Sequence, residues 1–338
     1  MVKLFDVIRA PEWWGYKLPP LLSVAYATSV LSGKTLYSMT PYFLFFLASL
    51  AIGAVYVSVI NDFTDIKEDL AVGKDNKIAR IAPWLRWVIV IFCILTGIGF
   101  CYFMWPDILS VSFYTGAWLS FTLYSVSPFR LKKRGIWGVI CDASGAHFFP
   151  SLLMVSGITF LTNGEVKLDW LFLVGVWAVS FGCRGILWHQ FLDRANDIKT
   201  NTRTFAVRVV PRKFKPYAVS IFCVELSAFL LMLLYINMLA AWVSLVLYGL
   251  LVLVRYYRYA NVPITIMTPK NKHAQVLMID YYQTFFPLSI LVWASVNQSL
   301  SWIVLVSHIF LFPSNMIIPL RDYWMAMDAF YRKIRYAS

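Results

Sequence analysis

Between residues 15 and 311 the chain alternates long apolar runs with short polar punctuation. The runs lie at 15–33, 41–61, 83–104, 107–127, 136–161, 169–190, 216–236, 239–258 and 284–311. Each is close to or above the about 20 residues that a helix needs to cross a bilayer. None shows the strict alternation of a barrel strand facing lipid, and lipid satisfies no open backbone group, so each is read as a helix. The expected fold is all-α: a polytopic membrane protein of about nine transmembrane helices.

The polar punctuation orients the runs. Lys67, Lys74, Lys77 and Arg80 follow the second run, and Arg130, Lys132, Lys133 and Arg134 follow the fourth. Arg194, Lys199, Arg203, Arg208, Arg212, Lys213 and Lys215 follow the sixth; Arg258, Lys270 and Lys272 follow the eighth. The alternate loops are short and nearly uncharged. By the positive-inside rule the basic loops and the N-terminus face the cytoplasm. The opening "MVKLFDVIRAPEWWGYKLPP" lacks the apolar core of a cleaved leader and is read as an interfacial lead-in. Without a targeting signal, an inner bacterial membrane is the expected location.

The end of the chain strains this scheme. Residues 1–312 are read as one transmembrane domain and 313–338 as an amphipathic tail. In that tail Leu320, Tyr323, Trp324, Met327, Phe330, Tyr331 and Ile334 share one helical face, as in a helix lying on a membrane surface. Nine crossings would leave this basic tail outside; two short passes over 284–318 would not. Nine is the reading preferred from the pattern.

Composition agrees. Only 14% of the 338 residues are charged, against about 25% in soluble domains, and the formal charge is +13. The excess fits loops facing anionic lipid, or an anionic substrate; no nucleic-acid motif accompanies it. Cys93, Cys101, Cys141, Cys183 and Cys223 form no paired motif and are read as core residues.

Against this background "NDFTDIKED" stands out. Asp62, Asp65 and Asp69 lie at i, i+3 and i+7, one narrow helical face, flanked by Asn61 and Glu68. In "HQFLDRANDIK", His189, Asp193 and Asp197 lie at i, i+4 and i+8, again on one face. "TDIK" (64–67) and "NDIK" (196–199) are a weak internal echo, each closing an apolar run. Both clusters fall at cytoplasmic helix ends, where they can face each other across one cavity. Acids this close raise one another's pKa or require a cation. Hard carboxylate and amide oxygens suit Mg²⁺, which shares its shell with substrate phosphates. The basic segment "YSVSPFRLKKRG" supplies Arg130 and Lys132 as phosphate ligands, while Lys133 and Arg134 are read as anchoring charges.

These motifs resemble those of the UbiA superfamily of intramembrane prenyltransferases. "NDFTDIKED" matches the family's N-D-x-x-D-x-x-x-D signature, "YSVSPFRLKKRG" resembles its Y-S-x-x-P-x-R-L-K segment, and "DRANDIKTNTRT" fits its second D-x-x-x-D block. The resemblance implies a helical bundle around a central cavity under a cytoplasmic cap. Two Mg²⁺ ions would bridge the acid clusters and a prenyl diphosphate donor, whose prenyl group passes to an aromatic or other lipophilic acceptor. Carried over residue by residue, Asn61, Asp62, Asp65 and Asp69 form the first metal cluster, and Asp193 and Asp197 the second. Asp62, Asp65, Asp193 and Asp197 would be catalytic; Asn61, Tyr124, Arg130 and Lys132 would steady the diphosphate. The family's Arg-Pro pair after the first motif is replaced by "GKDNKIARI", where Lys77 stands in for the Arg, and "IKTNTRT" lacks the usual Gly. His189 either touches the diphosphate or orients Asp193, or is structural. His147 and His308 are read as structural, and Asp142 and Arg184 either pair with each other or face the cavity. The superfamily also holds terpene cyclases and phosphoribosyl transferases with the same metal clusters. Outside enzymes, a cation transporter would instead place its acids near the bilayer midplane on broken helices.

Overall fold

A computed structural model describes residues 7–73, 75–258, 264–267 and 275–335, with the side chains of 258, 329, 330 and 333–335 excluded. The expectations for Lys74, Lys270 and Lys272, and for the side chains of Arg258, Phe330 and Ile334, lie outside the described residues. The described chain is almost wholly helical: α1 (Ala10–Leu31), α2 (Thr40–Ala71), α3 (Pro83–Met104), α4 (Ile108–Ser125), α5 (Ile136–Leu161), α6 (Leu168–Lys199), α7 (Pro211–Ile236), α8 (Leu239–Arg258), α9 (Phe286–Asn297), α10 (Trp302–Leu311) and α11 (Pro313–Arg335). Strands β1 (Ile264–Thr265) and β2 (Gln275–Val276) pair in parallel within the connector between α8 and α9.

The expected apolar runs and the observed helices agree closely, with two informative differences. The first is length. α2 and α6 each run for 32 residues, about 48 Å at 1.5 Å per residue, against a hydrocarbon thickness of about 30 Å. Each helix continues unbroken past the apolar run and carries its acid cluster on the overhang. The clusters are therefore helical and rigid, not loops at a helix end.

The second difference is at 284–311, which is not one span. Residues 298–301 break it into α9 and α10, packed side by side. Gln283 Nε2 donates to Tyr16 O (3.1 Å), and Asn315 Nδ2 donates to Gly15 O (2.9 Å), at the start of α1. Gln298 Oε1 accepts from Leu36 N (2.9 Å), just past the other end of α1. The two short helices thus run down and back between the levels set by α1, and α11 begins at the end where α1 begins. This arrangement is the one of two short passes over 284–318, not of one unbroken run.

Among the described residues six helices, α2, α3 and α5 to α8, are long and apolar enough to cross a bilayer; α10 with α11, bent by 86°, makes up to seven. α1 falls short because Lys17, Pro19 and Pro20 interrupt it, and α4 because of its Ser and Thr. Large side chains of α3, among them Phe92, Leu95, Tyr102 and Phe103, are exposed, which only a lipid surround makes inexpensive. On α11 the exposed large apolar residues are Ile317, Ile318, Leu320, Trp324, Met327 and Tyr331, while Asp322 is buried against Arg255 (2.8 Å).

The core joins α1, α2 and α5 to α9, with the Phe229 ring at its centre touching those of Trp177, Tyr282 and Phe286. Close approach of α2 and α5 depends on Gly157: a Cβ there would lie 2.3 Å from the fully buried ring of Phe46. Gly157→Ala is expected to destabilise the fold by about 1–3 kcal/mol through overpacking, read as a lower thermal midpoint in detergent. An unchanged midpoint would mean that this contact yields freely.

Candidate active site

The acid face of α2 is divided among three neighbours. Asp62 Oδ1 accepts from Arg9 Nη1 (3.2 Å), in the segment before α1. Asp65 Oδ1 accepts from Arg130 Nη2 (2.7 Å) and, in a very short contact, from Lys132 Nζ. Asp69 Oδ2 accepts from Asn76 Nδ2 (2.9 Å), which also donates to Asp62 O (2.8 Å). Glu68 pairs with Arg130 (2.8 Å) and Lys133 (2.6 Å). Lys133, expected only to anchor, is thus part of the cluster.

Lys132 is the centre of this arrangement. It is buried, and its ammonium donates to Asn61 Oδ1 (3.1 Å) as well as to Asp65 Oδ1. Ser125 Oγ also donates to Asn61 Oδ1 (3.4 Å), from the end of α4. Burial pulls the Lys132 pKa below its ordinary value, and the neighbouring Asp65 opposes this without overcoming it. An amide oxygen and a carboxylate oxygen from one helical face therefore converge on a compact cation. That donor set also fits a hard divalent ion. Among the described residues no three carboxylate, imidazole or thiol groups stand close enough to hold one metal by themselves. Mg²⁺ asks less, because it keeps several waters and shares substrate oxygens.

The second cluster sits at the same end of the bundle. Three residues beyond Lys132, Gly135 bridges to Thr204, whose hydroxyl donates to Asp197 Oδ2 (2.9 Å). Arg208 Nη2 donates to Lys133 O (3.3 Å), and Arg194 Nε donates to Ala206 O (2.8 Å). The segment 204–208 so closes between the basic loop and the end of α6. Tyr124 lies within electrostatic range of Asp65, Asp142 and Asp197 together. Asp193 is exposed on the last turns of α6. His189, one turn earlier, lies within electrostatic range of Asp193 and of Lys17 from α1. Lys77 is half-buried at the start of the turn Ile78–Arg80, beside Asn76.

Below the acid face opens an apolar cavity of about 110 Å³, lined by α1, α2, α4 and α5. Its wall includes Tyr56 stacked on Trp118 (ring centroids 4.5 Å), with Tyr114 and Phe121. Ser58, one helical turn before Asp62, is at its rim, and Lys17 is the charged side chain in its lining.

Sequence reasoning missed Arg9, Asn76 and Thr204. Each reaches an acid from a separate segment, and no local pattern encodes that meeting. The pairing left open for Asp142 and Arg184 is resolved otherwise: Arg184 binds Glu225 (2.7 Å), and Asp142 feels Lys17. His308 shares a hydrogen bond with the Tyr26 hydroxyl (3.2 Å), and His147 packs on Phe181 (4.5 Å), both buried.

A solved UbiA homologue from Archaeoglobus fulgidus aligns over 92% of this chain and 100% of its own, with 14% identity and a TM-score of 0.53. The same homologue bound to Cd²⁺ aligns over 87% and 100%, with 14% identity and a TM-score of 0.55. At this identity the likeness is one of fold. A search of curated proteins finds no match. The sequence profile described as the UbiA prenyltransferase family matches residues 18–263. That stretch is well over half of the chain, so the chain belongs to the UbiA prenyltransferase family.

Proposed function

We propose that this protein is a Mg²⁺-dependent intramembrane prenyltransferase that cleaves a prenyl diphosphate and passes the prenyl group to a lipophilic or aromatic acceptor. The observation that carries the reading is the convergence of Asn61 and Asp65 oxygens on Lys132, on a helix whose preceding turn, at Ser58, lines an aromatic-walled cavity. The acids of α2 and α6 would hold the metal: Asn61, Asp62, Asp65 and Asp69 on one side, Asp193 and Asp197 on the other. Bound Mg²⁺ would supply Lewis-acid neutralisation of the leaving diphosphate. Arg130 binds phosphate through its planar fork and Lys132 as a point charge, with Arg9, Lys77 and Tyr124 at the margins. The cavity takes the hydrocarbon tail away from water, and the faces of Tyr56 and Trp118 attract positive charge developing on the allylic carbon. The basic end of the bundle faces the cytoplasm, by the charge of its loops.

A transporter reading is disfavoured by position: the clustered acids sit on helical overhangs at one end, beside cations suited to an anionic ligand. The deciding experiment incubates purified protein with prenyl diphosphates and a panel of acceptors, with and without Mg²⁺. Mg²⁺-dependent pyrophosphate release with a prenylated acceptor supports transfer. A cyclised product without acceptor would replace it by a cyclase, and ion flux in liposomes without pyrophosphate release would overturn it.

Lys132 adds a pH test. It is charged below its lowered pKa and neutral above, and a neutral amine holds diphosphate poorly. Donor kcat/KM is therefore expected to fall on an alkaline limb lying below the ordinary lysine pKa. Lys132→Arg should remove that limb, since guanidinium keeps its proton, and Lys132→Ala should raise donor KM. A limb unchanged in both variants would rule out the phosphate role.

A further inference from the structure

Among the described residues of the connector between α8 and α9, some pack inside the protein. Met267 is fully buried among Val139 of α5, Ile186 and Leu187 of α6, and Phe214 and Ala218 of α7. β1 and β2 pair in parallel, and Met278 N donates to Tyr248 Oη (2.6 Å). Buried backbone carbonyls persist only when protein supplies their hydrogen bonds.

Arg184 supplies them here. Its Nε and Nη2 form a two-pronged pair with Glu225 of α7, both bonds 2.7 Å. Its Nη1 donates to Ile266 O (3.0 Å) and Leu277 O (2.8 Å), the residues directly after β1 and β2. Arg184 is 1% and Glu225 0% exposed, and the guanidinium carbon lies 5.2 Å over the Phe222 ring. One fork thus ties α6, α7 and both flanks of the connector together. Only the planar guanidinium offers donors in enough directions to do so; an ammonium does not.

The tie lies under the second acid cluster. Arg184 precedes Asp193 by nine residues on the same helix, about 14 Å. Met267, held in place beside Ile266, packs in the same apolar cluster as Phe205 and Val209. Phe205 lies within, and Val209 directly after, the segment whose Thr204 donates to Asp197 and whose Ala206 N reaches Gln190 Oε1 (3.4 Å). We propose that Arg184 is a positioning residue: by fixing the connector and its Met267 plug beneath segment 204–208, it holds Asp193 and Asp197 in register for a diphosphate-bearing ligand. This rests on the diphosphate reading given above.

The test pairs Arg184→Leu with Glu225→Leu. Replacing both ions of a buried pair by apolar side chains is often neutral for folding, yet it strips the connector carbonyls of their donor. Mg²⁺-dependent binding of inorganic pyrophosphate is measured by calorimetry in nanodiscs, beside the thermal midpoint and hydrogen exchange of 200–208. The expected result is a midpoint closer to native than that of either single variant, faster exchange at 200–208 and affinity weakened about tenfold or more, the size of effect seen when supporting partners of ligand-binding groups are removed. Arg184→Lys should fall between the wild type and the double variant. Native affinity in a folded double variant overturns the positioning role. Should the double variant not fold, Met267→Ala leaves the ion pair intact, and native affinity with native exchange there overturns it equally. A wild-type chain that binds no pyrophosphate overturns the diphosphate reading itself, and the positioning role with it.

Discussion

On the proposed reading Asp62→Ala and Asp193→Ala are each expected to lower Mg²⁺-dependent turnover by roughly a thousandfold or more, since each would remove a carboxylate ligand of the metal that neutralises the leaving diphosphate. The fold should survive both. Asp62 faces Arg9, which keeps Glu12 as a partner, and a partly exposed pair of this kind contributes at most about 1 kcal/mol. Asp193 is exposed on the overhang of α6. Pyrophosphate release from an allylic diphosphate, measured beside the thermal midpoint, checks the prediction. Normal turnover in either variant would remove that residue from the site.

Arg184→Met alone should be the most destabilising of the substitutions considered. It leaves the Glu225 carboxylate fully buried and unpaired, and breaking such a pair typically costs about 3–5 kcal/mol. Ile266 O and Leu277 O lose their shared donor as well. Glu225→Leu alone strands the guanidinium and should be comparably harmful, although the two connector carbonyls still accept from it. The non-additivity of the two changes is the diagnostic: the double variant should recover most of the stability that either single one loses. Thermal unfolding of the four proteins in one detergent reads the cycle. Additive losses would show that the two side chains do not act as a pair.

The same residues show how much the linear sequence carries. Asn61, Asp62, Asp65 and Asp69 could be placed on one face because helical periodicity is local: spacing alone sets the angle between side chains. Arg130 and Lys132 were legible for a similar reason, since four cations follow the close of one apolar run. What each acid meets was not legible. Arg9 reaches Asp62 across 53 residues and Thr204 reaches Asp197 around a turn, and both meetings depend on how segments outside the helices fold back. Lys133 reads as a bulk anchoring charge until Glu68 is seen 2.6 Å away.

Sequence by itself determined that this chain lives in a membrane, that it is helical, and where its acid-bearing faces begin, because lipid forces backbone hydrogen bonds to close within each apolar segment. It preferred one run over 284–311 to two short passes, since apolarity measures preference for lipid and is indifferent to a four-residue reversal. Only the tertiary structure decided that α9 and α10 double back, that Arg184 belongs to Glu225 and the connector, and that Gly135 meets Thr204 beside Asp197. Those outcomes come from contacts between residues tens to hundreds of positions apart, whose partners are chosen by packing and by the need to satisfy every buried polar group.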